Sequence, residues 1–509
     1  MPYSLGLDLS TQSLSATILQ CDGKGIRHCG SWSVAFCDWA AKYQLDRHTL
    51  CLPPQSVSGH LDTNGFYAQV PQMFTESLDA LFTRMQAENA PLGQITAINC
   101  SAQQHGQIWL NKNFEHACKQ LQVSTNHNIY LTELLGTSYA YPAAPIWMCS
   151  QTQKEAEYLL RALGKENVLE LSGSCAPLRF SGLVLRWLAG HDPAAYRQCR
   201  RIHLLSSWLA AILSGNSAAP IDWGNGAGTA LMDYHHKSWS AELLGCLAEG
   251  LPGGALALRA KLPDLASPLH EAGSLAAYFR KYGLRSDCMV LAGSGDNPQT
   301  KVCQRGDILS LGSSFVLMSR AEKFHEWANA MYDGLGNPFS FACRTNGALV
   351  WDAVRGYLGL SFEKQEEVLA RYPLGEVEAQ PLRLHTESFP PARPSHAMGA
   401  AHAMGAAHAM GAAHAMGAAH RSIEDWAGGQ REAGLLAAVI DGTLCEIYDA
   451  CQKVFGPASS LLYITGGPSR SVQIRRRIEE IWRRPVQTFH SAGASYGAAL
   501  AAQTLQAHE

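Results

Sequence analysis

Residues 5–20 read LGLDLSTQSLSATILQ, two apolar runs parted by four small polar residues. Leu5, Leu7 and Leu9 alternate with small or polar neighbours, Ser10-Thr11-Gln12-Ser13 interrupts, and Leu14 to Leu19 resumes. This is the grammar of a β-hairpin: strand, polar turn, return strand. Asp8 stands inside the apolar strand, two residues before the turn. A carboxylate there is costly unless something compensates it.

The same grammar returns at 307–320, DILSLGSSFVLMSR, where Ile308, Leu309 and Leu311 lead into Gly312-Ser313-Ser314 and Phe315 to Met318 form the return. Two copies of one hairpin point to an internal duplication. A third element, LLYITGGPSRS at 461–471, is an apolar strand that ends in a Gly-Gly turn before a helical stretch, 472–483. Between these landmarks strands and helices alternate. Val70, Met73, Phe74, Leu78, Leu81, Phe82 and Met85 share one helical face. Residues 95–101, ITAINCS, read as a buried strand, and 181–190, SGLVLRWLAG, as a helix. Such alternation predicts an α/β architecture with helices packed on sheets.

At 509 residues the chain exceeds one ordinary core, so two domains are expected. The turn-rich GLPGG at 250–254 marks the expected boundary, giving 1–250 and 251–509. Four HAMGAA units follow later, with histidines at 396, 402, 408, 414 and 420. A six-residue step turns a helix by about 240°, so these histidines cannot share a face. The repeat (396–420) reads as a slack surface loop.

The 40 basic and 43 acidic residues leave a net charge of −3. That balance argues against nucleic acid and against a membrane surface as partners. No apolar run approaches the ~18 residues of a membrane span, and the N-terminus enters a strand without a leader pattern. The 15 scattered cysteines include no C-x-x-C pair, which suits reduced thiols in a cytoplasmic protein. A small-molecule partner is expected, and a homodimer stays open.

Tight turns of Gly, Ser and Thr at strand ends let backbone N–H groups approach an oxyanion. Ser10, Thr11, Gln12 and Gly312, Ser313, Ser314 have that composition and suit the phosphates of ATP. Asp8 suits a hydrated Mg2+. Neither a P-loop nor a dinucleotide-binding fingerprint is present.

Five ordered motifs carry a resemblance over nearly the whole chain. They are LGLDLSTQS at the start, SAQQHG at 101–106, APIW at 144–147, GSGDNP with LSLGSS at 293–314, and ITGGPS at 464–469. Together they resemble the carbohydrate kinases of the glycerol kinase and xylulokinase group, with xylulokinase nearest. The resemblance implies an actin-like fold: two ribonuclease-H-like ATPase domains with an interdomain cleft, sugar on the first (1–250) and ATP on the second (251–509). It implies Asp296 as the general base that takes the proton of the attacking sugar hydroxyl, an assistance that an alcohol needs near neutral pH. An Asp capping the helix that Pro298 opens is the bland alternative. By the same resemblance Gln104, His105, Arg179 and Asn297 bind sugar, His105 as a donor. Gly466, Gly467, Pro468 and Ser471 pack near adenosine, where the small residues of 491–502 would allow close approach. Asp222 looks catalytic but has a structural counterpart.

Departures from the family pattern are Trp147-Met148-Cys149 where W-x-D is usual, Ser313 for Thr, Ser471 for Asn, and Gln299, Thr300, Lys301 and Cys303 after the base. The implied reaction is ATP-dependent phosphorylation of a small ketose, D-xylulose first, with other pentuloses or polyols next. A degenerate kinase that senses sugar or nucleotide without turnover is the reading from another class.

Overall fold

The computed structural model describes residues 2–22, 25–53, 65–312, 314–320, 323–344, 347–379, 382, 431–455, 459–489 and 493–506. Ser313 and the HAMGAA repeat lie outside the described residues. Contacts divide the chain into two compact units. The first holds 1–303, 331–338 and 491–509; the second holds 304–330 and 339–490.

In the first unit, β1 (Tyr3–Leu9) and β2 (Ser13–Asp22) form the expected hairpin, and β3 (Gly25–Ala35) extends it antiparallel. On the other side β4 (Ile95–Ala102) runs parallel to β1. Beyond it come β6 (Met289–Leu291), parallel, and β5 (Glu271–Ser274), antiparallel. A short strand, β7 (Ser294–Gly295), also lies parallel to β4. Leu5, Leu7 and Leu9 are buried, as the alternation requires, and each such side chain contributes roughly 1.5–3 kcal/mol. Helix α1 (Pro71–Ala87) opens with Pro at its first position. It buries the whole stripe from Met73 to Met85 read from its periodicity. The helix read at 181–190 is α2 (Ser181–His191).

The Gly250–Gly254 turn is not where the contacts divide. It joins two helices, Ala241–Ala248 and Gly254–Lys261, whose Leu247 and Leu258 share one core. Turn-forming residues mark a change of direction, and here the chain folds straight back onto itself. The chain passes into the second unit only after Cys303.

The small-residue C-terminal segment forms helix α7 (Ala494–Gln506), which packs on the first unit's sheet. Ser4 Oγ donates to Ala499 O (2.8 Å) and Asn99 Nδ2 to Ala498 O (3.1 Å). A Cβ on Gly6 would fall 1.9 Å from Ser495 O, so only glycine admits this approach. The Ala/Gly composition signalled close packing correctly; composition alone does not say against what.

The second unit repeats the first unit's sheet. Strands β8 (Asp307–Leu311), β9 (Phe315–Ser319) and β10 (Pro338–Arg344) form an antiparallel meander. Strands β11 (Leu462–Thr465) and β12 (Val486–Thr488) continue it in parallel from β8. Both sheets contain an antiparallel hairpin, β1–β2 and β8–β9, whose first strand pairs in parallel with a later strand, β4 and β11. Helices α5 (Gly347–Tyr357) and α6 (Val472–Trp482) cover the second sheet with a core that includes Leu309, Phe315, Trp351 and Ile474. All 15 cysteines are free thiols. Among the described residues no helix is long and apolar enough to cross a membrane.

Candidate functional site

Parallel pairing gathers the first unit's polar residues at one end of its sheet. Asp8 on β1 and Ser294 on β7 both lie beside Ser101 on β4. The carboxyl ends of neighbouring parallel strands are where open α/β sheets hold ligands. Ser101 Oγ donates to Asp8 Oδ1 at 2.8 Å. Burial nonetheless pushes the Asp8 carboxyl up to about 6, against the pull of that bond.

Two residues after Ser294, Asp296 opens helix α4 (Asp296–Val302). Its carboxyl is pushed up to about 7, first by burial and then by the negative charge of Asp8; backbone amides of Asn297 and Gln104 pull it down. Asn297 holds Asp296 Oδ1 with its backbone N–H (2.8 Å) and its side-chain amide (3.1 Å), and the same amide nitrogen donates to Gln104 Oε1 (3.0 Å). The carboxylate therefore caps a backbone amide and is poised near neutrality. Gly295 is obligatory just before it, because a Cβ there would meet Gln104 Cγ at 2.3 Å.

His105 adopts φ +66°, a left-handed conformation rare outside glycine, and its ring stacks on Phe180 with centroids 5.1 Å apart. Its Nδ1 lies 2.9 Å from Gly228 O. A carbonyl only accepts, so Nδ1 carries the proton. Burial and the Arg179 charge push the imidazole down to about 3, which keeps it neutral. Nε2 is then a lone-pair acceptor. The sequence expectation of His105 as donor is corrected by this tautomer. Arg179 is half-buried, and no carboxylate among the described residues pairs with it.

The first hairpin's turn divides its labour. Ser10 Oγ donates to Ser13 O (2.8 Å) and accepts from Ser13 N (3.1 Å), so this hydroxyl closes its own turn. Gln12 is exposed. Thr11 Oγ1 sits between Trp147 Nε1 (2.9 Å) and Gln103 Oε1 (3.1 Å). Asp222 is a structural carboxylate: it caps the short helix α3 (Trp223–Ala227) through Gly224 N (2.8 Å) and takes bonds from Asn225 and Ser294. Both of its oxygens accept from within the fold.

In the second unit Gly312 N donates to Ser314 O (3.1 Å), and Gly312 O accepts from Ala348 N (3.1 Å) at the start of α5. Gly466 has φ +96°, and a Cβ there would fall 2.2 Å from Leu311 O. Ser471 Oγ caps α6 by accepting from Ile474 N (3.0 Å). Gly312, Gly467, Pro468 and Ser471 line one pocket of about 760 Å3, a size that suits a small ligand. Phe362 and Glu366 line it too, and the sequence reading missed both. Phe362 is exposed, with the Arg355 guanidinium 3.6 Å over its ring. An exposed aromatic opening an otherwise polar helix was the available signal.

With this geometry in view, residues 138–303, which include Arg179, Asp222 and Asp296, match the N-terminal domain model of the FGGY family of carbohydrate kinases. Xylulose kinase 2 of Arabidopsis thaliana is 30% identical, over 61% of this chain and 53% of that protein. The xylulose kinase of Saccharomyces cerevisiae is 28% identical, over 72% of this chain and 60% of that protein. The chain thus spans between half and two thirds of these relatives' length. A ligand-bound xylulose kinase from Lactobacillus acidophilus superposes with a TM-score of 0.73 at 16% identity, covering 100% of this chain and 90% of that one. The fold is therefore the two-domain actin-like one, with the matched segment 138–303 inside the first unit.

A divalent cation fits the first unit on chemical grounds. Two carboxylates, Asp8 and Asp296, stand close enough for one to raise the other, and positive charge would relieve both. Among the described residues no cluster of three or more His, Cys, Asp or Glu could hold a metal alone. That suits Mg2+, which keeps most of its waters and takes one or two carboxylates plus substrate phosphates.

Proposed function

We propose that the protein phosphorylates a terminal hydroxyl of a small ketose at the expense of ATP, D-xylulose being the first candidate, in the cytoplasm. The observation that carries this is Asp296, a carboxyl poised at about 7 beside Gln104 and Asn297. A base with that affinity is half ionised near neutral pH and strong enough to take a hydroxyl proton as the bond to phosphorus forms. Asn297 orients it. Gln104, His105 and Arg179 supply the polar contacts that fix a polyhydroxylated ligand. Asp8 would hold Mg2+, whose chemistry there is to neutralise charge on the transferring phosphoryl group. Gly312, Gly467, Pro468 and Ser471 would take the nucleotide in the second unit's pocket, where glycine lets the backbone approach. The xylulose kinases among the relatives support the ketose. ADP release measured over a panel of ketopentoses, polyols and glycerol tests the proposal. D-xylulose should give the highest kcat/KM; absence of sugar-dependent ADP release with every acceptor refutes it.

A further inference from the structure

Thr11 lies in a hydrogen-bond chain whose polarity is fixed at one end by backbone carbonyls. Gln69 Nε2 donates to Thr11 O (2.9 Å) and to Leu50 O (3.2 Å). Carbonyls only accept, so the amide nitrogen of Gln69 is fixed there and its oxygen points the other way. That oxygen accepts from Gln103 Nε2 at 2.8 Å. The orientation of Gln103 is thereby fixed as well, and its Oε1 faces the Thr11 hydroxyl at 3.1 Å. Two oxygens at that distance need a proton between them, and only Thr11 has one to give. On its other side Thr11 Oγ1 accepts from the Trp147 indole N–H at 2.9 Å. Gln69 and Gln103 are almost wholly buried, so neither amide can turn to water instead.

A hydroxyl has one proton and two lone pairs. Here the proton and one lone pair are committed, and one lone pair is left. A phosphate oxygen offers nothing that this lone pair can take. The backbone N–H of Thr11, in contrast, has no partner among the described residues. The residue therefore presents an amide donor and a hydroxyl acceptor, the reverse of what a Thr in a phosphate-facing turn suggests.

We propose that Gln69, Gln103 and Trp147 are positioning residues that make the Thr11 hydroxyl an obligate acceptor. In the bound state it takes a hydrogen bond from a ligand O–H and gives none to phosphate, which meets the Thr11 amide instead. The O–H belongs either to the sugar or to a cation-bound water. This rests on the kinase reading above and adds to it the direction of one contact and the positioning task of Gln69, Gln103 and Trp147. Trp147 is retained where the rest of the family's W-x-D pattern is lost, and the chain above gives it a task.

The test is calorimetric titration of the full chain and its Thr11→Val, Thr11→Ser and Trp147→Phe variants with three ligands: ATP in EDTA, ATP with Mg2+, and D-xylulose. Removing one neutral hydrogen bond should weaken the arm that contains it by about five- to ten-fold. For Thr11→Val, ATP in EDTA should bind as to the parent. Loss confined to Mg2+-ATP assigns the O–H to a metal-bound water, and loss confined to the sugar assigns it to the sugar. Thr11→Ser should restore the affected arm. Trp147→Phe, which keeps an aromatic ring and removes the N–H, should weaken the same arm by a smaller factor. Weakened binding of ATP in EDTA by Thr11→Val overturns the inference, as do unchanged affinities in all arms or a Trp147→Phe loss in a different arm. A parent that binds both ligands without turnover refutes the kinase reading while these titrations still decide the role of Thr11. A parent that binds neither refutes both.

Discussion

The first unit's hairpin and the second unit's hairpin each pair in parallel with a later strand of their own sheet, yet they present opposite chemistry. Asp8 on β1 stands beside Ser101 on β4; the matching position on β8 is Ser310, beside Thr465 on β11. After β4 the chain continues Gln103-Gln104-His105, and after β11 it continues Gly466-Gly467-Pro468. The first end is built from amide, imidazole and carboxylate side chains, with Asn297 joining Asp296 to Gln104. The second is built from backbone, with a glycine that leaves no room for a Cβ. The hairpin and its parallel neighbour recur in both units. One strand position and the three residues after the fourth strand separate a site that reads polar groups from one that admits a ligand against bare backbone.

The largest effect should come from the residue that has no twin. Asp296→Asn keeps shape and removes the proton acceptor, and should lower kcat by about 10²- to 10⁴-fold with little change in sugar affinity. The same substitution should stabilise the fold at alkaline pH. The folded carboxyl is raised from 3.8 to about 7, so its favourable contribution is complete below the ordinary carboxylate range and is lost as pH climbs through about 7. The amide does not titrate, so the melting temperature of the variant should rise relative to the parent between about pH 4 and about pH 8. A parallel pair of melting curves would show the carboxylate to be unstrained.

Next comes the packing contrast two residues upstream, Gly6 in β1 against Ile308 in β8. Gly6→Ala drives a Cβ into α7 and should cost about 1–3 kcal/mol by denaturant titration. Ile308→Val, deleting one methylene from a fully buried side chain, should cost about 0.5–1.5 kcal/mol. Equal costs would mean that α7 is not seated as described. The smallest effect concerns His105. Its imidazole should show no titration near the usual histidine range, and 15N spectra compared with His105→Gln should report the neutral Nδ1-protonated form. A ring that titrates between about pH 6 and about pH 7 would return His105 to the role of donor.

Much of this was legible in the sequence, for stated reasons. The hairpins, the buried stripe of α1 and the strand at 95–102 follow from periodicity, a local property. Asp8 stood out as a carboxylate inside an apolar strand, and Asp296 was marked by the GSGDNP motif. What escaped needed long-range contact. The Ala/Gly-rich α7 announced a close approach without naming its partner, which proved to be Gly6, nearly 500 positions away. The histidine tautomer depends on one carbonyl, Gly228 O. The polarity of Thr11 depends on Leu50 O and on the indole of Trp147, none of it adjacent in the chain. Phe362 and Glu366 had no motif to mark them.

In the proposed reaction Asp296 takes the proton and Asp8 tunes it. The most direct measurement is the pH dependence of kcat/KM for the best acceptor, in the parent and in Asp8→Asn with Mg2+ saturating. The parent should show an acid limb with an apparent pKa near 7, and removing the Asp8 charge should move that limb to lower pH. A flat profile, or a limb that stays in place in Asp8→Asn, would contradict it.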